Sequence, residues 1–98
     1  MVQKIIWTRQ SFKDLKNIYD FIALDSFRYA QIQIENIIQS ATKLTKYPLI
    51  GRKIPEFPHL PYREIITGNY RVIYQIIKEQ NKIIIMTIVH GKRLLPFK

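Results

Sequence analysis

A chain of 98 residues with 47% hydrophobic and 23% charged side chains has the balance of one globular domain. A domain of that length buries roughly 60 to 70% of its unfolded surface without help from disulfides or metals. The absence of cysteine excludes a disulfide framework, cysteine-ligated zinc and a thiol nucleophile together. Sixteen Lys and Arg against seven Asp and Glu give a formal charge of +9, which calls for a negative partner: nucleic acid, an acidic protein or an anionic surface.

Taken in chain order, Val2 to Trp7 is a short β-branched run and reads as a strand. Ser11 is placed to cap a first helix, with Asp14 near its positive end. Phe12, Leu15, Ile18, Tyr19 and Ile22 recur at helical spacing up to Leu24. Asp25 and Ser26 break this helix and are placed to cap a second, whose apolar stripe is Ala30, Ile34, Ile37, Ile38, Ala41 and Leu44. Pro48 stops it. The connection is short enough to make the pair a helical hairpin. Residues Tyr47 to Pro61 hold four of the five prolines and read as an extended loop within the domain. Three strands follow, "YREIIT", "YRVIYQII" and "KIIIMTIV", the first two joined by a tight Gly68-Asn69 turn. The expected architecture is α+β: βααβββ, a helical hairpin packed on a mainly antiparallel sheet, with residues 1–98 as a single domain. No apolar run approaches the ~20 residues of a membrane helix, and "MVQKIIWTRQ" lacks the apolar core of a secretion signal, so a cytoplasmic protein without a membrane partner is expected.

A tight turn also sets register, because residues facing each other across an antiparallel pair lie on the same side of the sheet. Gly68-Asn69 pairs Thr67 with Tyr70, Ile66 with Arg71 and Glu64 with Ile73. A second turn centred on Gln80-Asn81 pairs Ile73 with Ile88 and Arg71 with His90, whereas a three-residue turn moves His90 to the other face. In the first register Tyr62, Glu64, Arg71 and His90 share a face. Arg63, Ile65, Tyr70, Val72, Tyr74, Ile83, Ile85 and Val89 occupy the face turned to the helices.

His90 beside Arg71 suits a general acid or base flanked by a phosphate clamp, since imidazole titrates near neutrality and guanidinium binds phosphate bidentately. The plainer reading is an edge histidine near an arginine engaged with Glu64. Arg52 and Lys53 suit the rim of an anion site, though basic loop residues are common. Glu56 is a candidate proton acceptor or a surface carboxylate. Tyr62, Tyr70 and Tyr74 suit base stacking or ordinary core packing. Two histidines thirty-one positions apart match no familiar metal spacing, and there is neither a glycine-rich phosphate loop nor a serine nucleophile motif. Any catalysis is expected to need no metal or other cofactor.

The order of "YPLIGRKIPE", "YREIITGNYRVIYQI" and "IIIMTIVHGKRLL" behind "FKDLKNIYDFIALDS" resembles the RelE/ParE superfamily of bacterial type II toxins over almost the whole chain. The resemblance implies a toxin held inactive by an antitoxin, often through an acidic flexible segment. RelE-like and YoeB-like members cleave mRNA on the ribosome, while ParE-like members inhibit DNA gyrase. In the first case Arg71 matches the arginine that stabilises phosphate charge, His90 the acid that protonates the leaving oxygen, and Glu56 the candidate base. Arg52, Lys53, Lys92 and Arg93 would then hold the RNA backbone, with Arg63 joining them if its face is accessible. Gly91 stands where YoeB-like toxins carry a tyrosine, and Phe97 where RelE-like ones have a functional C-terminal tyrosine. The "HGKR" ending is shared with many ParE-like chains. The residues lean slightly toward ribosome-dependent mRNA cleavage, with gyrase inhibition, or a degenerate RNA-binding module, as the alternative.

Overall fold

The computed structural model describes residues 4–92 and Leu95. Strand β1 (Lys4–Trp7) leads into helix α1 (Arg9–Ala23) and helix α2 (Phe27–Lys43), followed by β2 (Arg52–Lys53), β3 (Tyr62–Thr67), β4 (Tyr70–Ile77) and β5 (Lys82–His90). They form one sheet in the order β1-β5-β4-β3-β2, antiparallel except where β1 runs parallel to β5. The α+β hairpin-on-sheet architecture is the one expected. The short strand β2, buried in a proline-rich stretch, was not anticipated, and Val2 lies outside the described residues.

Helix α1 begins earlier than expected, because Thr8 rather than Ser11 is its cap. The Thr8 hydroxyl accepts the Ser11 N–H at 3.1 Å, and the Ser11 hydroxyl donates to the Thr8 carbonyl at 2.7 Å. Ser26 caps α2 as expected, accepting the Tyr29 N–H. The buried line of α2 runs through Ala30, Gln33, Ile37, Ala41 and Leu44, so Gln33, outside the expected stripe, is buried while Ile38, within it, is exposed. Phe12 is exposed too, its ring tilted against Trp7. Between hairpin and sheet lies the core, where Ile18, Ile37 and Leu44 meet Val72, Tyr74, Ile83, Ile85 and Ile88. Each fully buried isoleucine there contributes roughly 1.5–3 kcal/mol by leaving water.

The β3–β4 register matches expectation, from Thr67 opposite Tyr70 through Ile66 opposite Arg71 to Glu64 opposite Ile73. The β4–β5 register does not. Strand β5 starts with Lys82 opposite Ile77, across a turn that Asn81 closes in the left-handed conformation (φ 49°). That shift alone would leave every side chain on its expected face. A β-bulge then changes the parity: Tyr74 faces Ile85 but Ile73 faces Thr87, leaving Met86 as the extra residue. Beyond it His90 pairs with Tyr70, and Val89 pairs with Arg71.

The start of α1 explains why the bulge is held. The one Thr8 hydroxyl proton is shared between the carbonyls of Ile85 (2.9 Å) and Met86 (2.8 Å), which the bulge turns toward the same side. Asp14, expected to serve its own helix, accepts the Ile88 N–H (2.9 Å) and the Thr87 hydroxyl (2.6 Å). The cap and second turn of α1 thus satisfy the part of β5 that β1 does not reach.

Candidate functional site

The loop before β3 is clamped onto the sheet by a buried tyrosine. Burial pushes the Tyr74 hydroxyl pKa up and keeps it protonated, donating to the Pro48 carbonyl (2.7 Å) while accepting the Gly51 N–H (3.1 Å). Gly51 must be glycine: a Cβ there would lie 2.5 Å from the Glu64 carbonyl oxygen and collide with the tyrosine hydroxyl. Immediately after this contact β2 pairs Arg52 with Glu64, bringing the loop's cations to the sheet.

Glu64 is almost fully buried, at 1% exposure. A carboxylate there needs counter-charge, and it has two arginines. Its Oε1 accepts from Arg71 Nε at 2.6 Å, with Arg71 Nη2 also against it, and its Oε2 accepts from Arg52 Nε at 2.8 Å. The remaining edge of the Arg71 guanidinium meets Glu56 bidentately, both bonds at 2.8 Å. The two carboxylates differ in exposure: the Glu56 side chain is 50% exposed and the Glu64 side chain 0%. Hydrogen bonds from Arg71 hold the Glu56 carboxyl down at about 2, and Glu56 in turn leads the influences that raise the Arg71 pKa.

That depressed pKa has a measurable consequence. Because the folded value lies below the ordinary 4.5, the Arg71–Glu56 pair stabilises the protein fully above pH 4.5, and the contribution disappears as pH falls toward 2. Its size is about 1 kcal/mol after allowance for solvent screening of so exposed a carboxylate. Urea unfolding of the wild type and Glu56→Gln should therefore differ by that amount at pH 6 and converge near pH 2. A constant gap across the range would show that Glu56 is not titrating against Arg71.

Arg71 and Glu56 border a hollow of about 460 Å³ that also takes in Arg52, His90 and Lys92. His90 does not stand beside Arg71 as the expected register had it. Strand neighbours alternate faces, so pairing with Tyr70 puts its ring on the helix side, edge-on to the Tyr70 ring at 5.6 Å. It reaches the hollow only because it is the last residue of β5 and exposed. Its Nδ1 accepts the Lys92 N–H at 3.2 Å, which places the proton of the neutral ring on Nε2.

Of the other expected contacts, Lys53 and Arg63 face each other one step along from the Arg52–Glu64 pair, hence on the opposite side of the sheet from Arg71. Arg63 Nη1 is used on the Gly51 carbonyl at 2.8 Å. Arg93 and Phe97 lie outside the described residues. The plainer reading, an edge histidine near an arginine engaged with Glu64, is what the structure shows for Arg71; the residue pattern missed Arg52 as a second partner of Glu64 and the roles of Thr8 and Asp14. Among the described residues no cluster of His, Asp or Glu is arranged to hold a metal, and no helix is long and apolar enough to cross a membrane.

A second cleft, about 230 Å³, runs between α1 and β5 and is lined by Asp14, Asn17, Phe21, Tyr70, Ile88 and again His90. At the tip of the hairpin beside it Phe21, Leu24 and Phe27 are each more than 70% exposed. Three large apolar side chains left in water at one end of the hairpin are an unusual amount of exposed apolar surface for so short a segment.

Solved structures share this fold. The toxin–antitoxin complex RelBE2 from Mycobacterium tuberculosis aligns with a TM-score of 0.69 and 18% identity over 92% of this chain and 99% of that one. The chromosomal ParDE system of P. aeruginosa aligns at 0.74 and 19% over 93% and 98%. An arginine-to-alanine double mutant of E. coli RelE in the free state aligns at 0.68 and 16% over 94% and 86%. Two helices on a mostly antiparallel five-stranded sheet are therefore the RelE/ParE fold. A family model described as the ParE toxin of the type II toxin-antitoxin system, parDE, matches residues 5–95, and the chain belongs to that family. A comparison with curated proteins finds no match.

Proposed function

We propose that this toxin acts by binding its target rather than by cutting RNA, that DNA gyrase is the target, and that an acidic antitoxin neutralises it. The observation that carries this reading is the bulge at Met86. It sends His90 to the opposite face from Arg71, so no imidazole is aligned to protonate a leaving group on a phosphate held by that arginine. The neighbouring groups agree. Glu56, held at about 2 by Arg71, is a weak base, and Arg71 is engaged by Glu64 as well. The ParE family match points the same way.

The antitoxin reading rests on the +9 charge and on the exposed aromatic tip and cleft of the hairpin. Opposite charge accelerates encounter, and a segment that folds on binding covers a long surface.

One feature favours the nuclease alternative: Arg52, Arg71, His90 and Lys92 border a common hollow. Ribosome and mRNA are the partners on that reading. Supercoiling by purified gyrase and cleavage of mRNA on translating ribosomes, each titrated with antitoxin-free protein, separate the two. The expected result is loss of supercoiling at near-stoichiometric toxin with intact mRNA. Cleavage that disappears in Arg71→Lys or His90→Ala would overturn the proposal.

A further inference from the structure

We infer that the hollow over Arg71 is a carboxylate-recognition site for an acidic segment of a protein partner, and that Glu56 is a tethered stand-in which the partner displaces. This rests on the reading of an acidic protein partner but not on the choice of toxin target.

The Arg71 guanidinium divides its donors between two carboxylates. Arg71 has one edge, through Nε and Nη2, turned inward to Glu64, and a second, through Nη1 and Nη2, turned outward to Glu56. The inward partner cannot leave, because Glu64 is sealed from water and also bonded to Arg52. The outward one can. Glu56 sits on a loop next to Pro55, its side chain is half exposed, and once released it regains full hydration. An incoming carboxylate would thus inherit two bonds of 2.8 Å in a geometry the protein already displays. Exchange of one carboxylate for another is nearly neutral at Arg71 itself, so net affinity must come from the remaining lining of the hollow. Arg52 and Lys92 supply cations there.

Geometry favours a protein segment over a nucleic acid as occupant. Tyr70 and His90 border both this hollow and the cleft between α1 and β5, so an extended chain lying against Phe21 can round the end of the sheet at His90 to reach Arg71. That cleft also carries Asp14, which repels a phosphate backbone; a peptide can instead present an uncharged residue there and a carboxylate farther on.

Glu56 then acts as an internal competitor. Its tether gives it a high effective concentration, and removing it should tighten binding of an external carboxylate by about tenfold or more. The test uses the purified full chain and three probes: a capped hexaglutamate peptide, a thymidine hexanucleotide and inorganic phosphate. Affinities are measured for the wild type, Glu56→Ala and Glu79→Ala, the last removing the same charge from an exposed turn. The expected result is a tenfold gain for the peptide in Glu56→Ala and less than twofold in Glu79→Ala. The Arg71 Nη–H resonances should move on peptide addition while its Nε–H, held by Glu64, stays in place. Equal gains in the two variants, or unmoved Arg71 signals, would overturn the site. A larger gain for the oligonucleotide or phosphate than for the peptide would reassign it to phosphate and overturn the peptide proposal. Because the readout is binding of synthetic probes, it stands apart from the gyrase and ribosome assays.

Discussion

Glu64→Ala is expected to destabilise the protein by about 3 kcal/mol or more, whereas Glu56→Ala should cost about 1 kcal/mol or less at neutral pH. The two carboxylates bond the same guanidinium at nearly the same distances, so bond length alone would predict equal losses. Solvent decides otherwise. Without Glu64 the inner edge of Arg71 is left in a water-free site, since the arginine itself is only 6% exposed, and Arg52 loses the acceptor that fixes β2. Without Glu56 the outer edge of Arg71 opens to the hollow, where water replaces the lost oxygens. Urea unfolding of both variants checks the difference. Comparable losses would mean that the inner pair is better hydrated than its burial indicates. Double substitution adds a second check, because groups sharing one arginine should couple rather than add.

The second expectation concerns the bulge on which the functional reading depends. Asp14→Ala removes the acceptor of both the Ile88 N–H and the Thr87 hydroxyl, and both residues are buried. Leaving a buried backbone donor unpaired, together with the loss of charge-assisted bonds, should cost about 2–3 kcal/mol. Hydrogen exchange localises the effect: the Ile88 amide should lose protection far more than those of Ile83 or Ile85, which lie before the bulge. Thr8→Val tests the other clamp, since valine keeps the shape but cannot donate to the Ile85 and Met86 carbonyls. Unchanged Ile88 protection in Asp14→Ala would show that the strand holds its irregular register unaided.

From the sequence by itself came the hairpin-on-sheet class, the Ser26 cap, the β3–β4 register and the positive charge. All of these are local or additive. Apolar spacing reports a helix face within a few residues, and a Gly68-Asn69 turn aligns Ile66 with Arg71 because little chain intervenes for error to enter. The position of His90 was different, because an extra residue anywhere between the second turn and the strand end reverses its face. Whether Met86 is that residue depends on two carbonyls meeting a hydroxyl at Thr8 and on a carboxylate from Asp14, both more than seventy positions away in the chain. The partners of Arg71 were settled at the same level. A carboxylate inside β3 was visible, but whether Glu64 and Glu56 would both reach one guanidinium depended on how a proline-rich loop folds back over the sheet. Tyr74 and Gly51 made that choice by fitting a backbone turn against a ring where no Cβ has room. Pattern along a chain specifies which faces are buried; only packing between distant segments selects which charges share a site.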